Sequence, residues 1–174
     1  AHYDVRRKAE DDLLFKALLE NEQPDSPKLL LVRGPAGAGK TIALKRTAVE
    51  AAAAGALVLW LEPNGGLRSE DFLEISELTR RPIYLFVDEI ALHVEKVLAL
   101  MLAASAKGLP LVVVAAERDA DWYTYCSRLE DEFPPTIVRI GNLSEVEISN
   151  LLDNLERFEC LGALKGLPRA EQID

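Results

Sequence analysis

The sequence predicts an α/β fold, a three-layer α/β/α sandwich built on a five-stranded parallel sheet. Three observations predict it. Short apolar runs of strand length recur along the 174 residues, at 29–33, 57–61, 83–87, 111–115 and 136–140. Four of them (LLLVR, LVLWL, IYLFV and LVVVA) are continuous rather than alternating, as strands covered on both faces should be. The intervals between them carry helical periodicity, so helix and strand alternate along the chain.

An amphipathic helix is expected over residues 4–21, where Ala9, Leu13, Leu14, Ala17 and Leu18 share one stripe. Pro24 and Pro27 end it and form a connector to the first strand, 29–33. A glycine-rich segment, 34–41 (GPAGAGKT), leads into a helix over 40–54, which Gly55 stops as a left-handed cap. The second strand, 57–61, is followed by a turn at Pro63-Asn64-Gly65-Gly66 and a helix over 69–79. The third strand, 83–87, ends at Asp88 and Glu89. The next helix, 92–107, sets Val94, Val97, Leu98, Met101 and Leu102 on one face and closes at Gly108. The fourth strand, 111–115, runs out toward Glu117 and Arg118. A single helix carrying Trp122, Cys126 and Leu129 precedes the fifth strand, 136–140. Ser144-Glu145-Val146-Glu147 is a capping box, with Leu143 and Ile148 as its hydrophobic staple, and opens a helix to about residue 156. Residues 158–174 read as a short helix and a polar tail. The expected organisation is a helix and linker over 1–27, a core over 28–142 and a helical segment over 143–174.

Composition narrows the function classes. Hydrophobic residues make up 49% of the chain, which favours a packed domain over disorder. The opening AHYDVRRKAEDD is charged throughout, unlike a secretory signal. The most apolar stretch, 51–61, is too short to cross a membrane and is broken by Gly55, so no membrane partner is expected. Cys126 and Cys160 have neither the pairing of a disulfide framework nor the spacing of a zinc site. They read as small buried apolar residues in a reduced compartment, the cytoplasm. The net charge is −9, with thirteen acidic against six basic residues from Glu117 onward. That balance argues against a non-specific grip on nucleic acid.

The chemistry starts at Gly34-Pro35-Ala36-Gly37-Ala38-Gly39-Lys40-Thr41, the full Gly-x4-Gly-Lys-Thr pattern between a predicted strand and a predicted helix. Gly34, Gly37 and Gly39 are expected to adopt backbone angles that a side chain forbids and to let amide N–H groups approach phosphate. Those amides and the positive helix end make an anion site. The Lys40 ammonium would reach the outer phosphates, and the Thr41 hydroxyl would ligate Mg2+. Asp88 and Glu89, beyond the carboxyl end of a parallel strand, should face the same crevice. Asp88 would hold the metal through water, and Glu89 would orient or deprotonate an attacking water. Arg118 reaches the same edge and could read a terminal phosphate; as a plain surface arginine it would instead pair with Glu117 or Asp121. Trp122 and Tyr123 read as aromatic packing of a helix on the sheet. His2 and Tyr3 are candidates to contact a base. His93 receives no role.

In that order, GPAGAGKT, IYLFVDE and LVVVAAER resemble the P-loop NTPases with an added catalytic glutamate, the division that includes AAA-type ATPases. The opening helix, the arginine closing the fourth strand and residues 143–164 (LSEVEISNLLDNLERFECLGAL) look most like STAND ATPases. These are signal-transducing switches found in bacterial defence and in immune and cell-death regulators. The resemblance implies strand order 5-1-4-3-2. It implies ATP or ADP with Mg2+ at Gly34–Thr41 and Asp88, hydrolysis supported by Glu89 and Lys40, and sensing by Arg118. It further implies self-association of the full-length protein and flanking sensor and effector domains. Such proteins continue into helical lid and winged-helix subdomains, so the sequence reads as a core domain that hydrolyses slowly alone.

Other readings of the same residues are a nucleotide-binding scaffold with little turnover, a small-molecule or nucleoside kinase, a GTPase, and a DNA loader or helicase. The glutamate directly after Asp88 favours water over an organic acceptor. No Asn-Lys-x-Asp guanine-reading motif and no LSGGQ-type signature occurs in the sequence.

Overall fold

The computed structural model describes residues 5–20, 26–66 and 68–173. Five strands form one sheet: β1 (Lys28–Arg33), β2 (Leu57–Leu61), β3 (Ile83–Val87), β4 (Leu111–Glu117) and β5 (Thr136–Arg139). All neighbours are parallel, in the order β2-β3-β4-β1-β5. This is the expected order read from the opposite edge. β1 and β4 lie at the centre, and every residue of β4 is buried.

Strand alternation divides the core into two layers. Leu29, Leu31, Leu85, Val113 and Ala115 point to one face. There they meet Phe72 of α3 (Ser69–Thr79) and Val97, Leu98 and Met101 of α4 (Val94–Lys107). Trp122 of α5 (Asp119–Tyr125) and Leu129 of α6 (Ser127–Glu132) complete that layer. Leu30, Val32, Phe86, Val112 and Val114 point to the other face. It is covered by Leu13 and Ala17 of α1 (Lys8–Leu18) and by Ala43, Leu44 and Ala51 of α2 (Lys40–Ala53). The stripe predicted for the opening helix is the buried one, with Ala9, Leu14 and Leu18 packed at its margin. Two further helices, α7 (Glu145–Arg157) and α8 (Arg169–Ile173), follow β5. No helix among the described residues is long and apolar enough to cross a membrane.

Several elements depart from expectation. The opening helix is shorter; Asp4, Asn21 and Pro24 lie outside the described residues, as do His2 and Tyr3. β4 runs two residues further, to Glu117, because Arg33 of β1 still pairs with it there. The helix expected from 92 is a 3-10 turn, Ile90–Leu92, followed by α4, with the break at His93. Leu102 is exposed, and Leu100 and Ala104 are buried instead, because the buried stripe of α4 runs Val97, Met101, Ala104 at spacings of four and three. The single helix around Cys126 is two, α5 and α6, separated at that residue. Cys126 is buried, but Cys160 is exposed and lies outside any helix.

Candidate functional site

The glycine-rich segment links β1 to α2. Gly37 (φ 78°) and Gly39 (φ 90°) take left-handed backbone angles, as expected, with open space where a Cβ would stand on Gly37. Gly34 is required for a different reason. Its φ is ordinary, but a Cβ there would lie 2.0 Å from the carbonyl oxygen of Ile140. The loop is thus seated against the chain leaving β5, whose Ile140 N–H donates to Arg33 O at 2.8 Å.

The carboxyl ends of β1, β3 and β4 converge on a cavity of about 250 Å³. Ala36, Gly37, Gly39, Lys40 and Thr41 line it from the loop, Asp88 and Glu89 from β3, and Ala116, Glu117 and Arg118 from β4. Lys40 Nζ lies over the loop and donates to the carbonyls of Gly34 (2.9 Å) and Pro35 (2.8 Å). Thr41 Oγ1 donates to Asp88 Oδ2 at 2.7 Å. A hydroxyl and a carboxylate oxygen in contact form a hard, oxygen-only donor pair, the kind Mg2+ takes together with phosphate oxygens and water. An ammonium and positive-φ glycines beside that pair suit a polyphosphate. The residues present therefore fit a magnesium–nucleotide pair.

Glu89 is exposed and left-handed (φ 49°, ψ 57°), a sparsely populated conformation for a side chain with a Cβ. Arg118 is exposed at the cavity rim, and no side-chain partner for it occurs among the described residues. Neither Glu117 nor Asp121 pairs with its guanidinium; Glu117 instead accepts the Arg118 backbone N–H at 2.7 Å.

Three features around the site escaped the sequence reading. The first is Glu117, 4% exposed, whose Oε2 accepts the Ala91 N–H at 2.9 Å. The second is Arg33, 2% exposed at the end of β1. Its Nε donates to Asp119 Oδ1 at 2.7 Å, and Nη2 sits 2.6 Å from the same oxygen without an aligned hydrogen bond. Tyr123 stacks its ring 4.4 Å from this guanidinium and is largely exposed, so of the aromatic pair only Trp122 packs on the sheet. Burial opposes the charge on Arg33, but Tyr123 and Asp119 outweigh it and leave its pKa raised.

The third is Arg7, which ties four segments together. Nη1 donates to Ala38 O in the loop (2.8 Å), Nη2 to Gly141 O (3.1 Å) and Asn142 O (3.2 Å), and Nε to Glu147 Oε1 (3.0 Å). Glu147 also accepts the N–H and hydroxyl of Ser144, as the capping box predicts. The Ser144 N–H first, and then Arg7, hold its carboxyl below the usual carboxylate range. Apolar periodicity carries no signal for Arg33, Arg7 or Glu117, because each is a charged group with at least one partner remote in sequence.

A family model described as Novel STAND NTPase 5 matches residues 1–130. The chain belongs to this family. Its fold is also that of several solved structures at low sequence identity. A replication initiator DnaA bound to AMPPCP and single-stranded DNA superposes with a TM-score of 0.62 at 15% identity, covering 95% of this chain and 55% of that one. The Thermotoga maritima RuvB Holliday junction branch migration motor gives 0.58 at 18% identity, covering 89% and 52%. Hsp104 with ATPγS and FITC-casein gives 0.63 at 17% identity, covering 89% and 31%. The chain thus spans about half the length of these structures or less. No curated protein matches it in sequence. The STAND NTPase assignment and the sheet order together make the chain an NTPase domain of P-loop fold.

Proposed function

We propose that the chain is the ATP-binding and ATP-hydrolysing switch domain of a larger signal-transducing protein. The observation that carries this reading is the Thr41–Asp88 contact at 2.7 Å, beside Lys40, Glu89 and Arg118 around one cavity. It joins the end of the phosphate loop to the end of β3. A bound Mg2+ would supply charge neutralisation across the phosphate oxygens. Thr41 would ligate that ion directly and Asp88 through water. The amides of residues 34–41 would hold the phosphate chain, with Lys40 swung from the loop carbonyls onto the outer phosphates.

Glu89 would accept a proton from a water aligned on the terminal phosphorus. The water oxygen would bond to phosphorus as the bridging bond breaks, releasing ADP and phosphate. Arg118 would pair with the terminal phosphate and lose that partner on hydrolysis, which makes it the sensor of the nucleotide state. Adenine is favoured over guanine because the sequence has no guanine-reading Asn-Lys-x-Asp motif. The domain layout proposed is a helix and linker over 1–27, a core over 28–142, and a segment over 143–174 leading to a lid. Self-association, flanking sensor and effector domains, a role in bacterial defence and a cytoplasmic setting complete the proposal; they are supported by the STAND family alone.

The test is steady-state phosphate release with Mg-ATP. Wild type is expected to turn over slowly and the Glu89→Gln variant about 100-fold or more slowly still, with ATP binding retained. Equal rates in the two proteins would refute the role of Glu89. No turnover in wild type, with ATP bound, would favour a non-hydrolysing scaffold.

A further inference from the structure

We propose that Glu117 is a positioning residue that couples Glu89 to Arg118 through one shared carboxylate. The inference rests on the roles given above to those two residues. Glu117 is 4% exposed, yet no lysine or arginine forms an ion pair with it among the described residues. A buried carboxylate is costly unless its oxygens are hydrogen-bonded. Both are, and each accepts from a different segment. Oε1 takes the N–H of Arg118 at 2.7 Å, and Oε2 takes the N–H of Ala91 at 2.9 Å.

Ala91 stands two residues beyond Glu89, in the 3-10 turn that Glu89 opens. Glu89 itself is left-handed, and such a conformation persists only where its surroundings hold it. The Leu92 N–H to Glu89 O bond (3.0 Å) closes the turn from within. The Glu117 carboxylate anchors it from outside. β4 makes this possible by running two residues past the point where β3 ends, since Val87 pairs with Ala115. Glu117 follows Ala115 by the strand period of two and so projects on the same face, over the turn.

The consequence is mechanical. When a terminal phosphate draws on the Arg118 guanidinium, any shift of its backbone reaches Ala91, and hence Glu89, through two charge-assisted hydrogen bonds on one rigid carboxylate. A water-orienting group needs placement within a fraction of an ångström, so a loosened turn lowers turnover, while a released Arg118 weakens the hold on triphosphate but not on diphosphate. A carboxylate that only stabilises the fold would lower the melting temperature and leave nucleotide discrimination alone.

The experiment compares wild type, Glu117→Gln, Arg118→Ala and the double variant. Gln can accept one of the two N–H groups but presents its own NH2 to the other. Affinities for ADP and for a non-hydrolysable ATP analogue are measured by calorimetry, and kcat and KM by phosphate release. E117Q is expected to keep ADP affinity within about twofold and to lose the preference for triphosphate by the same factor as R118A. The double variant should lose no more than either alone. In E117Q kcat should fall by about 10- to 100-fold, and KM for ATP should rise by no more than the factor lost in triphosphate affinity. Should E117Q fail to fold, E117D retains the charge but retracts it by a methylene, and the same losses are expected.

A triphosphate preference and kcat unchanged in E117Q, with only the melting temperature lowered, would overturn the coupling while leaving the sensing role of Arg118 intact. An R118A variant that itself keeps the preference would overturn the sensing role, and the coupling with it.

Discussion

Replacing Arg7 by alanine should release α7 from the body of the domain. Among the described residues, α7 buries only Leu152, and Arg7 joins its first turn to the phosphate loop. The substitution removes four hydrogen bonds, to Ala38 O, Gly141 O, Asn142 O and Glu147 Oε1. The two to Gly141 and Asn142 are exposed, and those carbonyls regain water at little cost. The two to Ala38 and Glu147 are part-buried, with the Arg7 and Glu147 side chains 11% and 22% exposed. A buried hydrogen bond to a charged group contributes about 1.5–3 kcal/mol. Of the two, only the bond to Glu147 breaks when α7 opens, and discounting it for solvent access leaves about 1–2 kcal/mol. That corresponds to α7 opening about 5- to 30-fold more often. Amide hydrogen exchange over residues 145–157 reads this directly. Protection there should drop by that factor while β1 and β4 stay protected. An Arg7→Lys variant should fall between, since a point charge cannot span the fork of partners. Unchanged protection of α7 in the alanine variant would refute the assignment of Arg7 as its anchor.

Acid sensitivity should trace in part to His93. It is 3% exposed, with both ring nitrogens unpartnered among the described residues, and burial first, then Lys96, hold its pKa below 6.5. The unfolded chain therefore binds a proton that the folded chain refuses, so this contribution is complete above pH 6.5 and shrinks as pH falls below it. His93→Gln should flatten the slope of melting temperature between about pH 5 and 6.5, and an unaltered slope would contradict this. The two cysteines should differ sharply toward iodoacetamide. Cys160 is exposed, whereas burial pushes the Cys126 thiol up to about 12. One equivalent should react in the native protein and two after denaturation; reaction of both in the native protein would contradict the burial of Cys126.

The sheet was legible because its strands are continuous apolar runs, and continuous runs of five residues have few other homes. The loop between β1 and α2 was legible because the full Gly-x4-Gly-Lys-Thr pattern stands between an apolar run and a helical one. Element ends were less so. The sequence reading ends β4 at Ala115, and its last residue is a glutamate; the pairing of Val32 with Ala116 and of Arg33 with Glu117 extends the strand. The helix break at Cys126 has no sequence signal, since no glycine or proline stands there. Glycine spacing assigns Gly34 to backbone freedom, yet its need comes from the Ile140 carbonyl, far away in sequence. The same distance hides Arg7 from any local pattern, because its partners at 38, 141, 142 and 147 meet only in the folded chain.

The claim on which the rest depends is that residues 34–41 bind a nucleoside triphosphate with magnesium. Calorimetric titration of wild type and Lys40→Ala with ATP, with and without Mg2+, tests it most directly. Wild type should bind in a magnesium-dependent manner, and the variant should lose about 100-fold in affinity with its melting curve intact, reflecting one charge-assisted contact to phosphate. Equal ATP affinity in the two proteins would contradict the account.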